Sequence, residues 1–132
     1  MSAGRGRWAT LATSLTSVAL LASCTSSASV ADQRLCAEVA RVAGELVELG
    51  EPGDSPDMAH EVRILASHLL VASSGDPEGE PSRELAATVR AVGMAATSST
   101  PEVLDGLAAS YDACEGAGVT LDRSPLETLF AR

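Results

Sequence analysis

Apolar residues recur along most of this chain at alternating steps of four and three, the rhythm of a helix with one buried face. Between Ala31 and Leu49 they are Leu35, Val39, Val42, Leu46 and Leu49, with Cys36, Ala40, Ala43 and Val47 as a second seam alongside. Met58, Val62, Leu65, Leu69 and Ala72 repeat the rhythm between Pro56 and Ser73. A third segment carries Leu85, Val89, Val92 and Ala96, and a fourth carries Leu104, Leu107, Tyr111 and Cys114. No alternating β-branched or aromatic run of strand length competes with this pattern.

Turn-forming clusters separate the segments. "GEPGDSP" follows the first and "SGDPEGEPS" the second. Helix-start signals stand where each segment begins. Ser29 and Asp32 have capping-box spacing, Ser55 precedes Pro56 as an N-cap, Ser82 can cap the third segment, and Thr100-Pro101 opens the fourth. Gly116 and Gly118 are the stop signals of the fourth. Ser124-Pro125-Leu126-Glu127 reads as one more capping box and predicts a short last helix. Amphipathic helices joined by short linkers predict an all-α fold over residues 31–132, an up-down-up-down four-helix bundle with a short C-terminal helix. The seams are rich in Val and Ala, so the helices should approach closely around a thin core.

The rhythm is absent before Ala31, and the residues there read as an export signal. Arg5 and Arg7 form a basic start, and Trp8 to Leu21 carry no charge. That uncharged run is shorter than the roughly 20 residues a membrane-spanning helix requires. Leu21-Ala22-Ser23-Cys24 at its end resembles the lipobox of bacterial lipoproteins. The resemblance implies removal of residues 1–23, a diacylglycerol on the Cys24 thiol, and a tether over residues 24–30. It also implies a location at the extracytoplasmic face of a cell membrane. Ser29-Val30-Ala31 offers a rival site for ordinary signal cleavage. A diacylglycerol supplies the two chains that stable anchoring needs, whereas one chain gives only marginal binding. Extended, Thr25 to Val30 span at most about 20 Å, so the bundle would ride close to the bilayer.

With Cys24 assigned to lipid, Cys36 and Cys114 remain, and an exported compartment favours their oxidation. Cys36 lies early in the first helix and Cys114 late in the fourth. In an up-down-up-down bundle those ends share a pole, which predicts a disulfide joining them. Closing most of the domain in one loop contributes roughly 4–5 kcal/mol in the loop-entropy picture. No C-x-x-C redox motif is present, so the expected role is structural.

Charge and composition then narrow the chemistry. The 132 residues carry 18 acids against nine arginines, no lysine, and a formal net charge of −9. A surface this acidic repels nucleic-acid phosphates and anionic lipid alike, so the expected partners exclude nucleic acid and the lipid must hold the membrane. Beyond Trp8 the only aromatic residues are Tyr111 and Phe130, too few for a sugar platform, base-stacking surface or haem pocket.

Candidate ligands are sparse. His60 and His68 lie on the second helix, and "HEVRI" lacks the second histidine of the zinc motif H-E-x-x-H. Eight residues apart on a helix, the two point about 80° away from each other, so a shared metal would need Asp57, Glu61 or a neighbouring helix. "DPEGE" could hold a divalent cation only weakly, for it is no calcium loop. Met58 and Met94 fit the core better than a copper site. No nucleophile elbow, phosphate-binding loop or dinucleotide fingerprint appears, and the expectation is a non-enzyme without cofactor. The expected role is a lipid-anchored binding or scaffolding module with a possible envelope protein partner. The alternative is a small-ligand or metal carrier using His60 and His68.

Overall fold

A computed structural model describes residues 28–50, 56–75, 79–95 and 100–132. Among them the secondary structure is all helical: α1 (Val30–Glu48), α2 (Pro56–Ser73), α3 (Arg83–Ala95), α4 (Thr100–Gly116) and α5 (Ser124–Phe130). Consecutive long helices pack side by side, α1 on α2, α2 on α3 and α3 on α4, and α4 closes back onto α1. Contacts across the diagonals are the weakest, which is the pattern of a four-helix bundle. The short α5 lies against α1 and α4.

One buried cluster joins all five helices. Leu35, Val39, Val42 and Leu46 meet Val62, Leu65 and Leu69, then Leu85, Val89 and Val92, then Val103, Leu107 and Tyr111, with Leu126 and Leu129 from α5. These are largely the positions of the sequence rhythm. Two departures have a geometric cause. In α4 it is Val103 that is fully buried while Leu104 is half-buried against the cluster, so the inward face starts one residue earlier. Met94, expected in the core, is 62 % exposed. It follows Val92 by two residues, and about 200° of helical rotation turns it outward.

The predicted disulfide is present. Cys36 and Cys114 are bonded with their Cα atoms 5.8 Å apart, and both are fully buried. The bond spans a sequence separation of 78 residues and places the start of α1 beside the end of α4. A second tie marks the same pole. Asp32 in the first turn of α1 accepts a hydrogen bond from the Ser82 backbone N–H at 2.7 Å, just before α3. The α1 and α3 N-termini therefore share an end, as alternating helix directions require.

The helix ends show where local signals hold and where they give way. Ser29 accepts from the Asp32 backbone N–H at 3.1 Å, as the capping spacing predicts. The α4 end is a Schellman turn. Val119 N–H reaches Cys114 C=O at 2.9 Å and Gly118 N–H reaches Glu115 C=O at 3.0 Å, with Gly118 at φ +92°. Ser55 lies outside the described residues. At α5 the expected Ser124 cap is replaced. Ser124 is already the first helical residue, and both its N–H and its hydroxyl donate to the Asp122 carboxylate, at 3.0 and 2.7 Å. The ionised acceptor two residues upstream outcompetes the neutral capping box.

Packing between α2 and α3 depends on Gly93, a position the apolar rhythm does not mark. A Cβ there would stand 2.3 Å from Leu70 Cγ and 3.0 Å from the Ala66 carbonyl oxygen. The two backbones approach closely because one of them has no side chain. Gly93→Ala should therefore lower the unfolding free energy by about 1–3 kcal/mol through overpacking, measured by urea denaturation. Its intrinsic helix propensity predicts the opposite sign in an exposed helix. The Cys36→Ala/Cys114→Ala double variant should lose up to about 4–5 kcal/mol in the same assay, and the native protein should give no thiol reaction at either cysteine before reduction.

Candidate functional site

Polar or concave features among the described residues include a charged ridge on α1, a buried phenol in α4, a small hollow at one pole and an open groove at the other.

The ridge is centred on Arg41. Its guanidinium forks onto Glu38, one turn back, and reaches Glu45 at 2.7 Å, one turn ahead. The same Nη2 lies 3.1 Å from His68 Nδ1 across the α1–α2 junction. The hydrogen bond from Arg41 holds the Glu38 carboxyl below the usual carboxylate range, with partial burial opposing it and the charges of Arg41 and His68 adding to it. Arg41 itself is held above its ordinary value, first by the bond to Glu38. The ridge is therefore a satisfied ion-pair network rather than an open acid or base.

His68 is thus engaged with a cation, which is poor company for a metal ligand. His60 is exposed one face away on the same helix. Among the described residues no three His, Cys, Asp or Glu side chains converge as a metal site. Of the "DPEGE" stretch, Asp76, Pro77 and Glu78 lie outside the described residues, as does Cys24.

Tyr111 presents the one buried side-chain polar atom, among the described residues, that has no hydrogen-bond partner. Its ring fills the core and its hydroxyl is sealed from solvent. Burial pushes the phenol up, the nearby Asp122 carboxylate adds to the shift, and Arg123 opposes it. Arg123 is occupied with Asp112 and Glu115, at 2.8 and 2.7 Å. By contrast the buried Ser110 hydroxyl is satisfied, donating to Gly106 C=O at 2.9 Å. Neither residue carries a sequence signal beyond its place on the inward face.

The small hollow lies where the end of α1 meets the starts of α2 and α4. It is about 20 Å3, walled by Leu46, Met58, Val62, Val103 and Leu129, and Thr100 is the polar side chain in its lining. That is room for a water-sized group. Beside it, Arg132 donates to Gly50 C=O at 2.8 Å and to Val47 C=O at 3.1 Å, neutralising the carbonyl end of α1. The open groove at the other pole runs between the start of α1 and the end of α2, lined by Ala31, Arg34, Glu38, Val71, Gly75 and Pro81 among others.

Two outcomes follow from these geometries. Glu38→Gln should remove at most about 1 kcal/mol at neutral pH, since the pair is partly exposed. The folded carboxyl titrates below the unfolded one, so its stabilisation is complete above the unfolded value of about 4.3 and disappears as pH falls through the folded value. The difference between variant and native protein in urea denaturation should vanish once the pH has fallen below the folded value. Tyr111→Phe should leave the melting temperature unchanged or raise it, because the hydroxyl removed is desolvated without a partner. A fall of several degrees would show that the hydroxyl is bonded in solution.

Among the described residues no helix is long and apolar enough to cross a membrane. No protein-family model matches this chain, and neither the curated proteins nor the solved structures contain a match to it.

Proposed function

We propose that this chain is a lipid-anchored protein of the cell envelope, held at the extracytoplasmic face of a membrane through Cys24, whose helical bundle serves as a protein-binding or scaffolding module. The observation that carries this reading is the Cys36–Cys114 bond. A buried structural disulfide suits an oxidising compartment, as export would provide. It also leaves Cys24 as the one cysteine of three outside this bond, standing in the lipobox-like Leu21-Ala22-Ser23-Cys24.

The route from anchor to bundle supports the same reading. Ala28 is buried, and its carbonyl accepts a hydrogen bond from Gln33 Nε2 at 3.0 Å. Ala28 is thus held in place at the pole of the α1 N-terminus. A lipid four residues upstream holds that pole within about 14 Å of the bilayer and leaves the opposite pole and the helix flanks for a partner. The ridge around Arg41 and the acidic surface offer such a partner charged, pre-ordered side chains.

Intact mass of the membrane-extracted protein tests the anchor. The expected species begins at Cys24 and carries a diacylglycerol. A lipid-free species beginning at Ala31 or Asp32 would overturn it. Crosslinking in intact envelopes tests the module, with a discrete protein adduct of the bundle as the expected result and no adduct under any crosslinker chemistry as the contrary one.

A further inference from the structure

The pole at which Ala28 is held carries two exposed branched side chains. Val30, in the first turn of α1, is 63 % exposed, and Val71, near the end of α2, is 75 % exposed. Helices α1 and α2 run in opposite directions, so these two positions lie at one end of the molecule. The open groove between them includes Ala31 and Arg34, beside Val30, and Val71 itself. Both valines face away from the core. Leu35 and Val39 are buried on the other side of α1, and Leu69 and Ala66 on the other side of α2. Burial within the bundle therefore accounts for neither.

We propose that this end of the bundle is a membrane-contacting surface, with Val30 and Val71 seated in the headgroup region of the bilayer in which Cys24 is anchored. The inference rests on the lipid-anchor reading above and adds an orientation to it. The length of chain outside the described residues decides the occupant. Thr25, Ser26 and Ser27 separate Cys24 from Ala28, and four steps of extended chain cover at most about 14 Å. That leaves no space for a folded partner between this pole and the lipid, whereas the bilayer is there of necessity. Ala28 is pinned beneath Gly118, whose Cβ position lies 3.4 Å from the Ala28 nitrogen, so the approach is directed rather than free.

Two valines bury far less apolar surface than a single acyl chain, and even that chain binds only marginally. Detached, this surface would not hold the protein to a membrane. Once the anchor is inserted, the contact becomes intramolecular, and a small gain is enough to select one orientation among those the tether allows. The lipidated form lacks Arg5 and Arg7 and keeps seven arginines against all 18 acids, a formal net charge of −11 that disfavours an anionic surface, so the surface that fits is a zwitterionic one.

The single tryptophan of the chain is Trp8, upstream of Cys24, so the lipidated form offers an empty background for fluorescence. Val71→Trp and Val30→Trp each place one reporter on the proposed surface, at positions open enough to accept it. Met94→Trp is the control, since Met94 is exposed near the end of α3 at the opposite pole. Each variant is extracted from membranes, its lipid is verified by intact mass, and it is placed in nanodiscs of phosphatidylcholine brominated along the acyl chains. Emission at positions 71 and 30 should fall by about half relative to unbrominated discs, as for side chains about 5–10 Å into the boundary, with position 94 unchanged. Lipidated protein with no quenching at 71 and 30, or with equal quenching at all three positions, overturns the orientation and leaves the anchor standing. A species without lipid overturns the anchor, and this inference with it.

Discussion

Helices α1 and α4 are the first and last long elements of the bundle, and the bond between Cys36 and Cys114 is the one covalent link between them. Every other contact must be arranged around it. Because Cys36 lies early in α1 and Cys114 late in α4, the bond fixes those helices as antiparallel neighbours and sets which pole holds the N-terminus of the first. The intervening helices, α2 and α3, are then confined to a loop closed at a single point. The unfolded chain loses the conformations that separate its two ends, which is where such a cross-link acts. The need for that help is visible in the core, where, among the described residues, valine, leucine and alanine do nearly all the packing and Tyr111 is the only large ring.

A core of small side chains fills space by bringing backbones together. Gly93 is where this is most evident, since Leu70 occupies the volume a side chain would take. Close approach leaves little tolerance, and it also explains the polar groups found inside. The Ser110 hydroxyl is satisfied by its own helix. Asp32 is buried but receives the Ser82 N–H, so a carboxylate closes the gap between two helix starts. The Tyr111 hydroxyl has no comparable answer and stands as a local cost of seating an aromatic ring in a narrow bundle.

Charge is distributed differently. The described acids lie mostly outside, and two of the arginines among them are drawn into short networks. Arg41 serves Glu38 and Glu45, and Arg123 serves Asp112 and Glu115. Such pairs add little stability individually, yet they hold the surface in defined order. The Arg41 network sets charged side chains in fixed positions along one flank of α1.

Helical class, segment boundaries and most of the core were readable from the sequence, because burial on one face of a helix forces a four-and-three rhythm that no strand imitates. The pairing of Cys36 with Cys114 was readable too, once Cys24 was set aside for lipid and alternating helix directions were assumed, since those directions put both at one end. What the linear pattern did not contain were the relations between helices. It marked Ser124 as a cap, but the nearby Asp122 carboxylate took the role. It put Met94 inside, where the rotation of α3 puts it outside. It was silent on Gly93, on the Asp32–Ser82 tie and on the meeting of Arg41 with His68, each of which joins positions far apart in the chain. By itself, then, the sequence determined which faces are apolar, because that is a property of each segment alone. The tertiary structure decided which faces meet and how closely, because distance between backbones depends on both partners at once.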